Sequence, residues 1–153
     1  MRMLISCGYL CACMLLAGVS LMAQDETTGM VGLSNNQAAR LNVLNVAPAS
    51  NATAAVCPAQ LQIIDAGGGV LRQASVGIPS GKAAAIELRR EDVTNASMPR
   101  IQVRGEVNSV AAPSGTTPVC SFVTTLEIID EATGNTQVVL GGGHTIPAAP
   151  AGN

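Results

Sequence analysis

Residues 57–79, with the sequence CPAQLQIIDAGGGVLRQASVGIP, decide the fold class of this 153-residue chain. In the first half of the stretch, apolar residues stand at every second position, at Cys57, Ala59, Leu61 and Ile63. This alternation predicts a β-strand that is buried on one face. The glycines at 67–69 then separate it from a second apolar run, which is typical of a hairpin turn. The stretch therefore predicts two antiparallel strands joined by a tight turn.

Residues 120–140, CSFVTTLEIIDEATGNTQVVL, repeat this design. In both stretches a cysteine precedes a strand that ends in Ile-Ile-Asp, and a turn containing glycine follows. If the two strands were direct antiparallel neighbours, Cys57 and Cys120 would lie at opposite ends of the sheet. A bond between them requires strands that run the same way, as strands on the facing sheets of a sandwich can.

Apolar and polar residues also alternate in residues 39–43, 84–88 and 100–107, and residues 30–33 add an edge strand if they pair. We therefore predict an all-β protein, an immunoglobulin-like antiparallel β-sandwich of seven or eight strands with one disulfide. Outside the apolar run at residues 4–22, only residues 89–93 fit a helical turn.

The chain has room for one folded domain. We assign residues 1–23 to a signal peptide, 24–38 to an N-terminal segment with the edge strand, 39–140 to the β-sandwich and 141–153 to a disordered tail. The tail is rich in glycine, alanine and proline, a composition that does not support a packed core. Residues 110–118 are expected to form a mobile loop.

The N-terminus predicts export. Arg2 precedes an uncharged apolar run at residues 4–22, and Ala23 stands before the polar residue Gln24. This order is typical of a secretory signal peptide, so we predict cleavage after Ala23 and a secreted or periplasmic protein with no membrane contact after cleavage. The apolar run is long for a signal peptide, which leaves an uncleaved anchor as an alternative. Lipidation at Cys11 or Cys13 is a second, weaker alternative to a cleaved signal peptide.

Cleavage would leave Cys57 and Cys120 as the only cysteines, because Cys7, Cys11 and Cys13 belong to the signal peptide. Two cysteines in an oxidising compartment predict a single structural disulfide. Two thiols without histidines do not make a zinc site, and their wide separation excludes a C-x-x-C redox motif.

The composition of the mature chain narrows the function classes. Without Arg2, seven basic residues stand against ten acidic ones, a net charge of −3, which disfavours binding to nucleic acid or anionic lipid. One histidine, His144, cannot supply a multi-histidine metal centre, and its glycine-rich surroundings make a rigid Ser-His-Asp triad improbable. We therefore expect no enzymatic activity and no cofactor.

Two pairs of adjacent carboxylates are candidates for chemistry. Glu91 lies next to Asp92, and Asp130 lies next to Glu131. A glycosidase needs two opposed carboxyl groups in a cleft, which so small a sandwich does not offer, so we interpret both pairs as solvated charges. Oxygens from residues 130–135 also permit a weak calcium site, although the spacing is not that of an EF-hand loop.

Two further patterns have structural explanations. The glycines at 67–69 resemble a phosphate-binding loop, but such loops precede a helix and a strand follows here. Arg100 and Arg104 lie on one face of a predicted strand, where they resemble an anion-binding stripe. Glu106 shares that face, so we interpret the face as a solvated surface of the strand.

The segments AARLNVLNVAP, CPAQLQIIDAGGGVL, IPSGKAAAIEL and LEIIDEATGNTQVVL together resemble small exported bacterial proteins with a single immunoglobulin-like or fibronectin-like β-sandwich, the adhesion and spacer modules of the envelope. The resemblance covers residues 39–140 and rests on hairpin and turn spacing. The chain has no Trp, and its single Tyr lies in the signal peptide, so the core Trp and tyrosine corner of antibody domains are absent.

This resemblance implies a non-enzymatic interaction or structural module with a protein partner. Glycans are disfavoured as ligands because Phe122 is the only aromatic residue of the mature chain. The alternative is a small inhibitor or carrier that presents residues 108–118 to an enzyme, and a hydrolase ranks last. A fimbrial-type subunit that donates residues 25–35 as a strand is a variant of the first hypothesis, but Gly29 and Gly32 make a poor donor.

Overall fold

The computed structural model describes residues 25–48, 56–94, 98–110 and 120–144. The predicted signal peptide, most of the predicted loop at 110–118 and the chain after residue 144 lie outside the described residues.

The described chain consists of nine strands and one short 3₁₀ helix. The strands are β1 (Asp25–Thr27), β2 (Val31–Ser34), β3 (Gln37–Asn45), β4 (Val56–Asp65), β5 (Val70–Pro79), β6 (Ala83–Arg89), β7 (Arg100–Ser109), β8 (Phe122–Asp130) and β9 (Thr136–His144). The 3₁₀ helix, Arg90–Asp92, follows β6, at the helical turn predicted there.

The strands form two antiparallel sheets. In the five-stranded sheet the order is β7, β4, β5, with β1 and β2 both paired to the outer side of β7. The four-stranded sheet has the order β6, β3, β8, β9. The predicted antiparallel β-sandwich with one disulfide is therefore confirmed.

The strand count is nine rather than seven or eight. The predicted edge strand is present as β2, and β1 is additional: Asp25, Glu26 and Thr27 pair with Asn108, Val107 and Glu106 of β7. These three polar residues show no apolar alternation, so the pairing with β7 identifies this strand and the sequence pattern does not. The N-terminal segment is thus paired within its own chain instead of being free for donation.

The prediction of a disordered tail from residue 141 was wrong for its first four residues. In β9, Gly141, Gly142, Gly143 and His144 pair with Thr125, Thr124, Val123 and Phe122 of β8. Glycines carry no side-chain periodicity, yet their backbone groups complete the ladder of hydrogen bonds. Gly142 also lies close to the carbonyl of Thr27, where an added Cβ would come within 3.0 Å of the oxygen. The sandwich therefore spans residues 25–144 rather than 39–140.

Side chains from alternate positions of both sheets fill the core. Leu41 from β3, Leu61 from β4, Val103 from β7 and Leu126 from β8 are all completely buried. Burial of apolar side chains between two twisted sheets is the main driving force for such a fold. Phe122 belongs to this cluster and is 4% exposed, as expected for a core residue.

The disulfide joins the two sheets. Cys57 lies in β4, and Cys120 lies two residues before β8, with 5.7 Å between their Cα atoms. Cys57 is completely buried. The predicted pairing is therefore confirmed, and the bond connects the sheets at the end where β4 and β8 begin.

Candidate functional site: an uncovered sheet edge

The two sheets end in four edges, formed by the β1–β2 segment, β5, β6 and β9. An edge strand exposes unpaired N–H and C=O groups that can pair with another chain, and proteins blunt such edges with charges, proline, bulges or short strands. Three of the four edges carry charges, a proline or short strands. The β1–β2 edge is short and interrupted, β5 contains Arg72 and ends at Pro79, and β6 carries Glu87 and Arg89.

Strand β9 is different. Its nine residues, TQVVLGGGH, contain no Asp, Glu, Lys, Arg or Pro. A single irregularity at Gln137, between the Ile128 and Ile129 pairings, interrupts an otherwise regular ladder. Val139 is 55% exposed and Val138 is 37% exposed. Among the described strands, β9 is thus the edge that combines length, apolar side chains and lack of charge.

The outer face of the four-stranded sheet continues from this edge. The backbone registers place Val139 beside Glu127, Gly141 beside Thr125, and Val123 beside Leu44. Val123 and Leu44 are 44% and 39% exposed. The outer face therefore has two halves. The half at the disulfide end carries uncharged residues, and the other half carries charged ones.

The charged half contains a shallow depression of about 190 Å³. Its lining includes two arginines, and each has a carboxylate partner: Arg40 lies 2.7 Å from Glu87, and Arg89 lies 3.3 Å from Glu131. Exposed ion pairs of this kind contribute little to stability, and here they leave no unpaired cation in the depression. We therefore interpret the charged lining of the depression as a cluster of exposed ion pairs.

The structure brings the two predicted carboxylate pairs together around one residue. The guanidinium of Arg89 lies 3.6 Å from Glu91 and 3.3 Å from Glu131. Glu91 is an exposed residue of the 3₁₀ helix, and Glu131 lies in the turn after β8. The carboxylates flank an arginine on an open surface rather than facing each other across a cleft.

One of the oxygens that would permit a calcium site, Asp130 Oδ1, is used inside its own turn. Asp130 Oδ1 accepts hydrogen bonds from the backbone N–H of Thr133 at 2.9 Å and from its hydroxyl at 3.0 Å. These bonds, the backbone bond first, hold the pKa of Asp130 below its usual 3.8. Within the described ranges, no group of three or more His, Cys, Asp or Glu side chains is arranged to hold a metal ion.

The other patterns singled out in the sequence have structural roles where they are described. Residues 65–69 form a hairpin turn in which Asp65 Oδ1 accepts the N–H groups of Gly67 and Gly69 at 2.8 and 2.7 Å. Gly68 has φ of 85°, a conformation that glycine adopts without strain. Most of the loop at 108–118 lies outside the described residues.

The arginine stripe does not form. The Arg100 side chain crosses over Gly32, where an added Cβ would lie 1.6 Å from Arg100 Nε. Arg104 instead approaches Glu106 at 4.0 Å. The two guanidinium groups therefore have different neighbours.

Sequence reasoning missed several buried polar residues, among them Asn45 and Arg90. Asn45 is completely buried, and its place on the same strand face as the core residues Leu41 and Val43 is a usable signal. Arg90 is 2% exposed and donates to the carbonyl oxygens of Val93 and Met98. The same signal was available here, because Arg90 continues the alternation of the buried residues Ile86 and Leu88, whereas the exposed Arg89 has the opposite parity.

No protein-family model matches this chain, and no curated protein matches it. In the part of the chain that the structure describes, no helix is long and apolar enough to cross a membrane.

Proposed function

We propose that this chain is an exported, non-enzymatic interaction or structural module of the cell envelope or periplasm, which binds an extended segment of a protein partner along β9. The observation that carries the proposal is the uncharged edge of β9, where Val138 and Val139 are exposed on a side that no described strand pairs. An incoming strand gains main-chain hydrogen bonds from such an edge, and the alternate side chains give specificity.

The surface around β9 supports a protein ligand over a sugar or a nucleobase. Sugars and bases bind on aromatic platforms, and the one aromatic side chain of the mature chain, Phe122, is buried in the core. A main-chain ladder needs no aromatic group. The disulfide and the signal-like N-terminus support an oxidising compartment as the site of action.

The test is a comparison of three forms of the exported protein in pull-downs from envelope extracts: wild type, Val139→Lys and Val123→Lys. Val139→Lys places a charge on the edge strand, which should prevent strand addition. Val123→Lys is the matched control, because Val123 lies on the same outer face but in β8, which is paired on both sides. A genuine partner is retained by wild type and by Val123→Lys and is lost with Val139→Lys.

The purified partner then provides the decisive measurement. Amide hydrogen exchange should slow within β9 on complex formation, because its free N–H groups become bonded. Equal capture by all three forms, or protection confined to another strand, would contradict the proposal.

A further inference from the structure

We propose that the same edge pairs with a second copy of this chain, so that β9 of one molecule lies antiparallel to β9 of another, with Leu140 opposite Leu140. This inference rests on the proposal that β9 is a binding edge, and it identifies a second copy as one occupant. The result is a continuous eight-stranded sheet made from two four-stranded ones.

The side-chain sizes along β9 favour this partner. The first half of the strand carries the branched residues Val138 and Val139, and the second half carries Gly141 and Gly142. In an antiparallel pair centred on Leu140, Val139 of each copy lies directly opposite Gly141 of the other. The bulky half of one strand therefore lies against the glycine half of its partner, twice, because the two-fold axis repeats the contact.

Gly141 has the space that this arrangement needs. A Cβ built on Gly141 would meet no atom within 4 Å, so the outer face beside it is open. Val139 lies two residues away on the same face and is 55% exposed. In the pair, each exposed valine would cover the backbone at Gly141, which is open among the described residues.

The distribution of charge around β9 also permits two copies to pair along this strand. Since β9 contains no charged group, two copies meet along the edge without repulsion. On the outer face, the backbone register places the charged residue Glu127 of β8 beside Val139, one strand away from the proposed β9–β9 contact. The approach of identical strands therefore encounters no like-charge contact within the strand pair itself.

The register predicts a limited interface. The irregularity at Gln137 leaves residues 138–142 as the symmetric regular pair. A strand pair of this length buries less than the roughly 1,200–2,000 Å² of a stable protein interface. We expect a dimer that dissociates on dilution, and one that competes with partner binding because both use the same N–H and C=O groups.

Sedimentation of the exported protein over a range of concentrations tests the self-association. Wild type and Val123→Lys should show a monomer–dimer equilibrium, and Val139→Lys should weaken it by about tenfold or more. Unchanged dimerisation of Val139→Lys, or wild type that stays monomeric at every concentration, overturns the inference. Neither of these results decides whether a different protein binds the edge, which the pull-down measures separately.

Cross-linking tests the register. Under mild oxidation, a mixture of the Val139→Cys and Gly141→Cys variants should form a disulfide-linked dimer containing one chain of each, because these positions face each other only across the dimer axis. Each variant alone should stay uncross-linked. Two results would contradict the pairing centred on Leu140. One is a disulfide between two copies of Val139→Cys, and the other is a mixture of the two variants that dimerises without forming a disulfide.

Discussion

The side-chain amide of Asn45 connects the two sheets: Nδ2 donates to the carbonyl of Ile78 in β5 at 2.9 Å, although Asn45 belongs to β3 of the opposite sheet. Its Oδ1 accepts the N–H of Ala47 at 3.0 Å. The backbone of Asn45 also bonds to Gly81 and Lys82 in the connection between β5 and β6. One buried residue thus anchors the passage of the chain from one sheet to the other.

Replacement of this amide should be costly. Asn45→Ala leaves the Ile78 carbonyl and the Ala47 N–H buried without partners, and we expect the free energy of unfolding to fall by about 1–3 kcal/mol. Urea denaturation measures the change. Asn42→Ala is the control, since Asn42 lies three residues earlier on the half-exposed outer face, and it should change stability by less than about 0.5 kcal/mol. Equal effects of the two variants would contradict the anchoring role.

Loss of the disulfide should destabilise the fold and nothing else. The bond closes a loop with a sequence separation of 63 residues, so Cys120→Ala should lower the free energy of unfolding by roughly 2–5 kcal/mol. Cys57→Ala should give a similar loss, and the double variant should lose little more than either one, because all three lack the same bond. Thiol labelling of both cysteines in the native exported protein would show that the bond is absent.

Acid should weaken the turn after β8. The pKa of Asp130 is held below 3.8 by the hydrogen bonds from Thr133, so the folded state favours the ionised carboxylate. A lowered pKa contributes stability at pH values above about 3.8, and this contribution is lost as the pH falls through the folded value. NMR titration of the Asp130 carboxyl group should show a low pKa in wild type and a partly raised one in Thr133→Ala, which removes the hydroxyl bond and keeps the backbone bond. An unchanged pKa in the variant would contradict the contribution of the hydroxyl bond.

Glycan arrays should show no saturable binding. Phe122 is buried in the core, so it cannot stack on a sugar ring, and Phe122→Leu should affect stability rather than recognition. Micromolar, saturable glycan binding that persists in Phe122→Leu would refute the preference for protein partners.

Export should produce a chain that begins at Gln24. The apolar run ends at Met22, and Ala23 precedes the first polar residue, directly before β1 begins at Asp25. Intact-mass analysis of the exported protein measures the N-terminus. A mass that still includes residues 1–10 would favour a retained anchor.

The proposed binding edge, β9, shows what sequence reasoning reached and what it missed. Lack of aromatic residues already favoured recognition through backbone edges. The identity of the edge did not follow, because β9 was expected to end at Leu140 and its glycines were assigned to a tail. Glycine has no side chain whose alternation marks a strand, so only its pairing with β8 reveals that Gly141 and Gly142 belong to the sheet.

The sequence by itself determined the features that arise from neighbouring residues and from simple counts. Three features depend on short-range chemistry or on a count of the cysteines outside the N-terminal apolar run: the alternation along residues 57–63, the Asp65 turn and the pairing of Cys57 with Cys120. The tertiary structure decided which strands became edges, and it buried Asn45 and Arg90. Those outcomes depend on which distant segments cover a residue, because a polar side chain is buried only where the folded chain supplies its hydrogen-bond partners.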